Sequence, residues 1–114
     1  MSVKLTTRQV GDVTVVDAAG RITLGEGAST FRDTLRDLAG AGKKKLLLNL
    51  AEVSYIDSSG IGEMVSGFTT VTNLGGQVKL LNLTKRVKDL LQITKLYTVF
   101  EVFEDEAAAV RSFA

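Results

Sequence analysis

The sequence predicts an α/β fold: a mixed, mostly parallel five-stranded sheet with an N-terminal antiparallel hairpin and about four helices. Two patterns predict this fold. Two strand-like runs flank a two-residue turn near the N-terminus, and strand-like and helix-like segments then alternate to the end of the chain. The length of 114 residues, 45% of them hydrophobic and 24% charged, is ordinary for one globular domain, which we expect over residues 1–114.

The first two strands are predicted to form a hairpin. Residues 3–10 alternate apolar and polar side chains, as a half-buried strand does, and residues 13–18 are β-branched. Gly11 and Asp12 are typical turn residues, and two such residues between two strands indicate an antiparallel hairpin.

A helix and a buried strand are predicted next. From residue 28 the apolar spacing becomes helical, with an N-cap near Ser29 or Thr30 and an end near Gly40 and Gly42. Residues 45–50 form a short apolar run, which is typical of a strand covered on both faces. The apolar positions of this helix are Ala28, Phe31, Leu35 and Leu38.

The alternation continues to the C-terminus. A second amphipathic helix begins near residue 61 and ends at Gly75-Gly76, and a strand is predicted over 77–83. A strand over 98–103 and a last helix over roughly 105–113 complete the pattern. The apolar positions are Ile61, Met64, Val65, Phe68, Val71 and Leu74 in the second helix, and Val87, Leu90 and Leu91 in a short third helix.

Composition excludes several classes of function. The formal net charge of +1, from 14 basic and 13 acidic residues, gives no reason to expect nucleic acid or an anionic membrane as a partner. The basic run 43–45 is interpreted as a solvated loop. Cysteine and histidine are both absent, which argues against a zinc site. We expect no metal site and no cofactor. No apolar run approaches the length of a membrane span, so we expect a soluble, cytoplasmic protein.

Three enzymatic interpretations fail on missing residues. A serine hydrolase needs a base beside its nucleophile, but the chain contains no histidine. The stretch Gly25-Glu26-Gly27 lacks the lysine of a phosphate-binding loop, and we expect it to provide loop flexibility. A phospho-aspartate receiver centred on Asp57 would need an acidic pair near the first strand, where Asp17 stands alone. We therefore expect no catalytic residues.

The remaining candidate site is a pair of hydroxyls before the second helix. Ser58 and Ser59 precede Gly60, so either serine could be the N-cap, and capping alone would explain both. A helix N-terminus also tolerates a phosphate, because its N–H groups and dipole favour negative charge. Gly60 and Gly62 leave the first turn without side chains, either for a partner or for close packing on the sheet.

These residues resemble a known family. The segment 45–71, KLLLNLAEVSYIDSSGIGEMVSGFTTV, is similar to the signature of STAS-domain anti-sigma factor antagonists, in which an apolar strand leads into an Asp-Ser-Ser/Thr-Gly-Leu/Ile-Gly motif at a helix start. The resemblance extends to residues 13–21 and 75–113, and so covers nearly the whole chain.

The resemblance implies a bacterial, phosphorylation-controlled partner switch, whose output would be transcription regulation or another process that uses the same switch. The unmodified protein would bind an anti-sigma factor that is a GHKL-type serine kinase, and a sigma factor would be released. The kinase would phosphorylate Ser58, the complex would dissociate, and a PP2C-type phosphatase would restore the unmodified form. By the same resemblance Asp57, Ser58, Ser59 and Gly60 would contact the partner.

One position departs from the family pattern. The family usually has an acidic residue shortly after the second strand, where this chain has Thr23. We include Thr23 among the partner-binding residues, but its effect on kinase docking stays open.

One alternative function belongs to another class, a ligand-binding or scaffolding STAS domain in a transport or stress-signalling assembly. Such relatives often lack the phosphoacceptor, so Ser58 favours the switch. Because no heptad repeat or apolar tail is visible, we expect the free protein to be a monomer.

Overall fold

The computed structural model describes residues 3–113; Met1, Ser2 and Ala114 of the predicted domain lie outside them. The chain forms five strands, four α-helices and a short 3-10 helix. In chain order these are β1 (Val3–Val10), β2 (Val13–Ile22), α1 (Glu26–Gly40), β3 (Lys45–Ile56), α2 (Ser58–Asn73), β4 (Gln77–Leu81), α3 (Lys85–Ile93), the 3-10 helix Leu96–Thr98, β5 (Val102–Phe103) and α4 (Glu106–Ser112).

The predicted sheet architecture is confirmed. The five strands are ordered β1-β2-β3-β4-β5, with β1 antiparallel to β2 and all other neighbours parallel. Strands in sequential order with right-handed crossovers place their connecting helices on one face of the sheet. Accordingly α1, α2 and α3 contribute to one large core, while α4, which follows the last strand, covers part of the other face.

Each face of the sheet has its own apolar cluster because side chains alternate along a strand. On β2, Val16 and Ala18 face the three crossover helices, whereas Val13 and Val15 face α4. The larger cluster includes Phe31 of α1, Met64 of α2 and Leu91 of α3, all essentially inaccessible to solvent. Ala109 and Phe113 complete the smaller cluster.

The first helix begins earlier than its sequence pattern predicts. Its N-cap is Gly25, with φ of 99°, rather than Ser29 or Thr30. The expectation that the Gly25–Gly27 stretch is a flexible loop is also wrong. Gly27 is buried in the first turn, where an added Cβ would lie 2.6 Å from the carbonyl oxygen of Arg21, so this turn packs directly on the β2 backbone.

Two strand predictions also need correction. β3 continues to Ile56, beyond the predicted end at residue 50, and its pairing with β2 contains register shifts near Ala19 and Arg21. The predicted strand over 98–103 is mostly a 3-10 helix and a loop, and only Val102–Phe103 pair with β4. Within residues 3–113, no helix has the length and apolar character needed to cross a membrane.

Candidate partner-binding and phosphorylation site

The candidate site lies where β2 and β3 end together. Ile22 and Ile56, the last residues of these two strands, are register partners in a parallel pairing. Thr23 and Asp57 therefore leave the sheet side by side, and α2 begins one residue later. Carboxyl ends of neighbouring parallel strands are where open α/β sheets place their binding sites.

Asp57 joins the two segments through its side chain. Its Oδ1 accepts a hydrogen bond of 2.9 Å from the N–H of Gly60, and its Oδ2 accepts one of 3.0 Å from the N–H of Leu24. Asp57 is therefore the N-cap of α2, and the expectation that Ser58 or Ser59 would be the N-cap is wrong. The same carboxylate holds the turn between β2 and α1 against the start of α2.

The Asp57 carboxylate is stabilised in its charged form. Burial alone would raise its pKa, but the N–H groups of Leu24, Gly60 and Ser59 together outweigh burial and hold the pKa of Asp57 below its usual value. Asp57 therefore carries a full negative charge at neutral pH, directly beside Ser58.

The two serines differ in their access to solvent. Ser58 is exposed and Ser59 is half-buried. Within residues 3–113, no hydrogen bond engages the hydroxyl of Ser58, so this group is available to a partner. As the first helical residue after the Asp57 cap, Ser58 projects its hydroxyl at the positive end of the α2 dipole.

The two glycines of the first turn have different surroundings. Gly60 is buried, and an added Cβ would lie 2.7 Å from Cγ1 of Ile56 and closer still to the carbonyl oxygen of Ile22. Close packing on the sheet therefore explains Gly60. Gly62 is exposed, and an added Cβ there would meet no atom within 4 Å, so packing does not explain it.

The turn after β2 contains the predicted Thr23 and also Leu24, which the sequence analysis did not identify. Thr23 is half-buried, and its carbonyl oxygen accepts a hydrogen bond of 2.9 Å from Ala28. Leu24 is 80% exposed while its backbone is fixed to Asp57, so a large apolar side chain stands beside the candidate phosphorylation site. An apolar residue between a strand end and a glycine turn was the signal that could have identified it.

Comparisons with known proteins agree with this architecture. The sequence profile of the STAS domain matches residues 4–109. The anti-sigma-B factor antagonist of Bacillus subtilis is 34% identical over 102 residues, which cover 90% of this chain and 92% of that protein.

Solved structures show the same fold. The crystal structure of an anti-sigma factor antagonist from Mycobacterium paratuberculosis superimposes with a TM-score of 0.87 at 14% identity, covering 98% of this chain and 94% of that one. The structure of the Bacillus cell fate determinant SpoIIAA in its phosphorylated form superimposes with a TM-score of 0.74 at 18% identity. The superposition covers 95% of this chain and 97% of that one.

The fold and the profile together define a STAS domain. The chain belongs to the STAS-domain family, in the group of the anti-sigma factor antagonists. The names of these relatives describe regulatory proteins rather than enzymes.

Proposed function

We propose that this chain is an anti-sigma factor antagonist that works as a phosphorylation-controlled partner switch. In its unphosphorylated form it binds an anti-sigma factor, which is a serine kinase of the GHKL class, and frees a sigma factor. The kinase phosphorylates Ser58 and the complex dissociates, and a PP2C-type phosphatase then reverses the modification. The observation that carries this proposal is the exposed Ser58 hydroxyl next to a helix N-cap already filled by Asp57.

The difference in exposure favours Ser58 over Ser59 as the acceptor. A kinase must bring the hydroxyl to a nucleotide phosphate, which requires an accessible side chain. Ser58 meets this requirement and the half-buried Ser59 meets it less well. Because Asp57 supplies the cap, modification of Ser58 removes no capping hydrogen bond from α2.

A phosphate on Ser58 would change partner binding more than it changes folding. It adds about −1.5 to −2 charges at neutral pH, and the α2 dipole favours a nearby anion by about 0.3–1 kcal/mol. At the binding surface the same phosphate would lie beside the charged Asp57 and would have to lose water on docking. Like charges forced together at an interface cost several kcal/mol, roughly enough to dissociate a complex.

The binding surface that we propose has two parts. Asp57, Ser58 and Ser59 form the accessible start of α2, with the buried Gly60 packed on the sheet beneath them. Thr23 with its neighbour Leu24 forms the adjoining turn. The exposed Leu24 provides apolar area that a partner can bury, since its backbone is already ordered by Asp57.

We further propose that residues 1–114 act as a single STAS domain, that the free protein is a cytoplasmic monomer, and that it has no catalytic activity or cofactor of its own. The regulatory names of its relatives support the absence of catalysis.

Phosphorylation by the cognate GHKL-type kinase tests the switch. After incubation with kinase and ATP, mass spectrometry should place one phosphate on Ser58. Ser58→Ala should bind the kinase and remain unmodified, and Ser58→Glu should bind at least about tenfold more weakly, since one carboxylate supplies part of the repulsion of a phosphate.

Ser59→Ala is the matched control, because it removes the neighbouring hydroxyl and should still be phosphorylated. A phosphate on any other residue, or equal affinity of the modified and unmodified proteins for the kinase, would contradict the proposal.

A further inference from the structure

Two arginines share one tyrosine ring near the end of β3. The guanidinium carbon of Arg21 lies 4.7 Å from the ring centroid of Tyr55, and that of Arg86 lies 4.4 Å from the same centroid. Both distances fall within the range of cation–π contacts. The two guanidinium carbons can be no farther apart than the sum of these distances, which is below the screening length of about 10 Å at 0.1 M salt.

Neither guanidinium has an acidic partner within residues 3–113. Both arginine side chains are exposed, and no carboxylate lies within ion-pair distance of either. The nearby Asp57 carboxylate is already engaged by two backbone N–H groups. The basic residues that do form ion pairs in this part of the chain are Arg8, Arg32, Lys45, Lys79 and Lys85.

The two arginines are available to bind a carboxylate. A guanidinium held over an aromatic ring by a cation–π contact can still direct N–H donors to a carboxylate, which these donors match in a bidentate geometry. Two positive charges held close together also repel each other, and a bound anion relieves this repulsion. The ring orders both side chains beforehand, which reduces the entropy lost on binding.

The cluster lies at the same end of the sheet as the candidate phosphorylation site. Arg21 and Tyr55 are register partners in the β2–β3 pairing, and Tyr55 precedes Asp57 by two residues. Arg86 is in the first turn of α3. A partner that covers the start of α2 can therefore reach the Arg21–Tyr55–Arg86 cluster as well.

The shape of the surface favours a protein segment over a small anion. The two cavities beside α3, of about 370 and 330 Å³, are lined by other residues, including Leu83 and Lys88. Arg21 and Arg86 are exposed and Tyr55 is only half-buried. A protein segment can lie across such a surface, whereas small-molecule sites are concave and bury most of their ligand.

We propose that Arg21, Tyr55 and Arg86 form a docking site for an acidic segment of the anti-sigma factor. This inference rests on the proposed function for the identity of the partner, and adds a second, phosphate-independent contact to the Ser58 surface. Carboxylates of the partner would engage the free edges of the two guanidinium groups. The site would raise affinity for the correct partner and would make binding depend on salt.

The first experiment measures binding to the anti-sigma factor and compares two double variants, each of which removes two positive charges. Arg21→Gln/Arg86→Gln removes the cluster's charges, and Lys43→Gln/Lys44→Gln removes two exposed charges before β3, at the opposite end of the sheet. At about 0.1 M salt the first variant, in its unphosphorylated form, should bind the kinase about tenfold more weakly and with a shallower salt dependence, and the second should change affinity less than about twofold. If both variants lose affinity for the kinase equally, the effect comes from net charge alone and the proposal is overturned.

A second experiment does not require the anti-sigma factor. In NMR titrations with a glutamate-rich decapeptide, the Nε–Hε signals of Arg21 and Arg86 should shift and saturate, and the backbone amides of Lys43 and Lys44 should not. ATP is the competing probe. Larger shifts of the two arginine signals with ATP than with the peptide, or none with the peptide, would overturn the proposal.

The two experiments separate this inference from the switch itself. If Ser58 proves not to be the phosphorylation site but the peptide still saturates the arginine signals, the switch fails and the docking site stands. Tyr55→Leu should weaken peptide binding while both charges remain, because the ring orients the guanidinium groups. Urea denaturation of each variant confirms that the fold is retained.

Discussion

Gly60 and Gly62 lie in the same helical turn and meet opposite environments. Gly60 packs against Ile22 and Ile56, whereas Gly62 faces open space. Sequence reasoning placed both glycines in the first turn but could not separate close packing from accessibility. The distinction depends on how near the β2 backbone approaches α2, which is a tertiary property.

The two glycines should therefore respond oppositely to alanine. Gly60→Ala should lower the free energy of unfolding by about 1–3 kcal/mol, because the added methyl group overlaps packed atoms. Gly62→Ala should raise it by up to about 1 kcal/mol, because alanine is the better helix former at an exposed position. Urea denaturation at neutral pH measures both.

Each substitution is the control for the other, since both add one methyl group to the same turn. Equal stability of Gly60→Ala and the unmodified protein would show that the contact with the sheet can relax without cost. A loss of stability in Gly62→Ala would show that the exposed face of the turn is less open than the structure indicates.

Helix starts in this chain use aspartate in two ways. Asp57 caps α2 and also binds the N–H of Leu24 in another segment, whereas Asp105 caps α4 with one hydrogen bond of 2.9 Å to Ala108. Asp57 and Asp105 are thus matched N-caps, and they differ in that Asp57 also binds the turn after β2.

Asp57→Ala should cost about 2 kcal/mol and Asp105→Ala about 0.5–1 kcal/mol, at the two ends of the range for N-caps. The Asp57 contribution should also depend on pH. Its pKa is lowered from 3.8 by folding, so its stabilisation is complete above that value and is lost as the pH falls through the folded pKa.

Urea denaturation of the unmodified protein and Asp57→Asn, from pH 7 to pH 3, checks this dependence. The stability difference between them should be constant above about pH 5 and should shrink below about pH 4. A difference that grows on acidification would have the wrong sign for a carboxylate stabilised in its charged form.

The helices and strands of this chain were easier to predict than the residues at which they begin and end. Apolar periodicity identified α1 and α2 correctly, but Gly25 and Gly27 hid the first turn of α1, because glycine carries no periodic signal. β3 was cut short because the prediction followed the short apolar run, which ends at Leu50, whereas the strand continues past Glu52 and Ser54. In the predicted strand over 98–103, aromatic and β-branched residues favoured an extended chain, but Phe100 is buried edge-on against Phe68 and only Val102–Phe103 form a strand.

At the scale of the whole molecule, both edges of the sheet discourage pairing between chains. β1 is one edge, with most of its side chains polar and exposed, including Lys4 and Arg8. β5 is the other edge and contains only two residues. Charged and very short edge strands oppose edge-to-edge association.

We therefore predict that the free protein is a monomer in solution. Light scattering at micromolar concentration should report a mass of about 12 kDa, the value of one chain being 12.2 kDa. Ser58→Glu serves as a control for association through the candidate site, and should give the same mass. A dimer that persists on dilution would contradict the prediction.

The hydrogen bond between Leu24 and Asp57 has a consequence for the order of folding. It joins groups 33 residues apart, with all of α1 and β3 between them. Such a contact forms only after the intervening loop has closed, so the turn and the start of α2 come together late rather than in a nascent or denatured chain. A kinase that recognises Leu24 and Ser58 together would then phosphorylate only folded molecules. Phosphorylation of Ser58 would therefore also indicate that the chain had completed its fold.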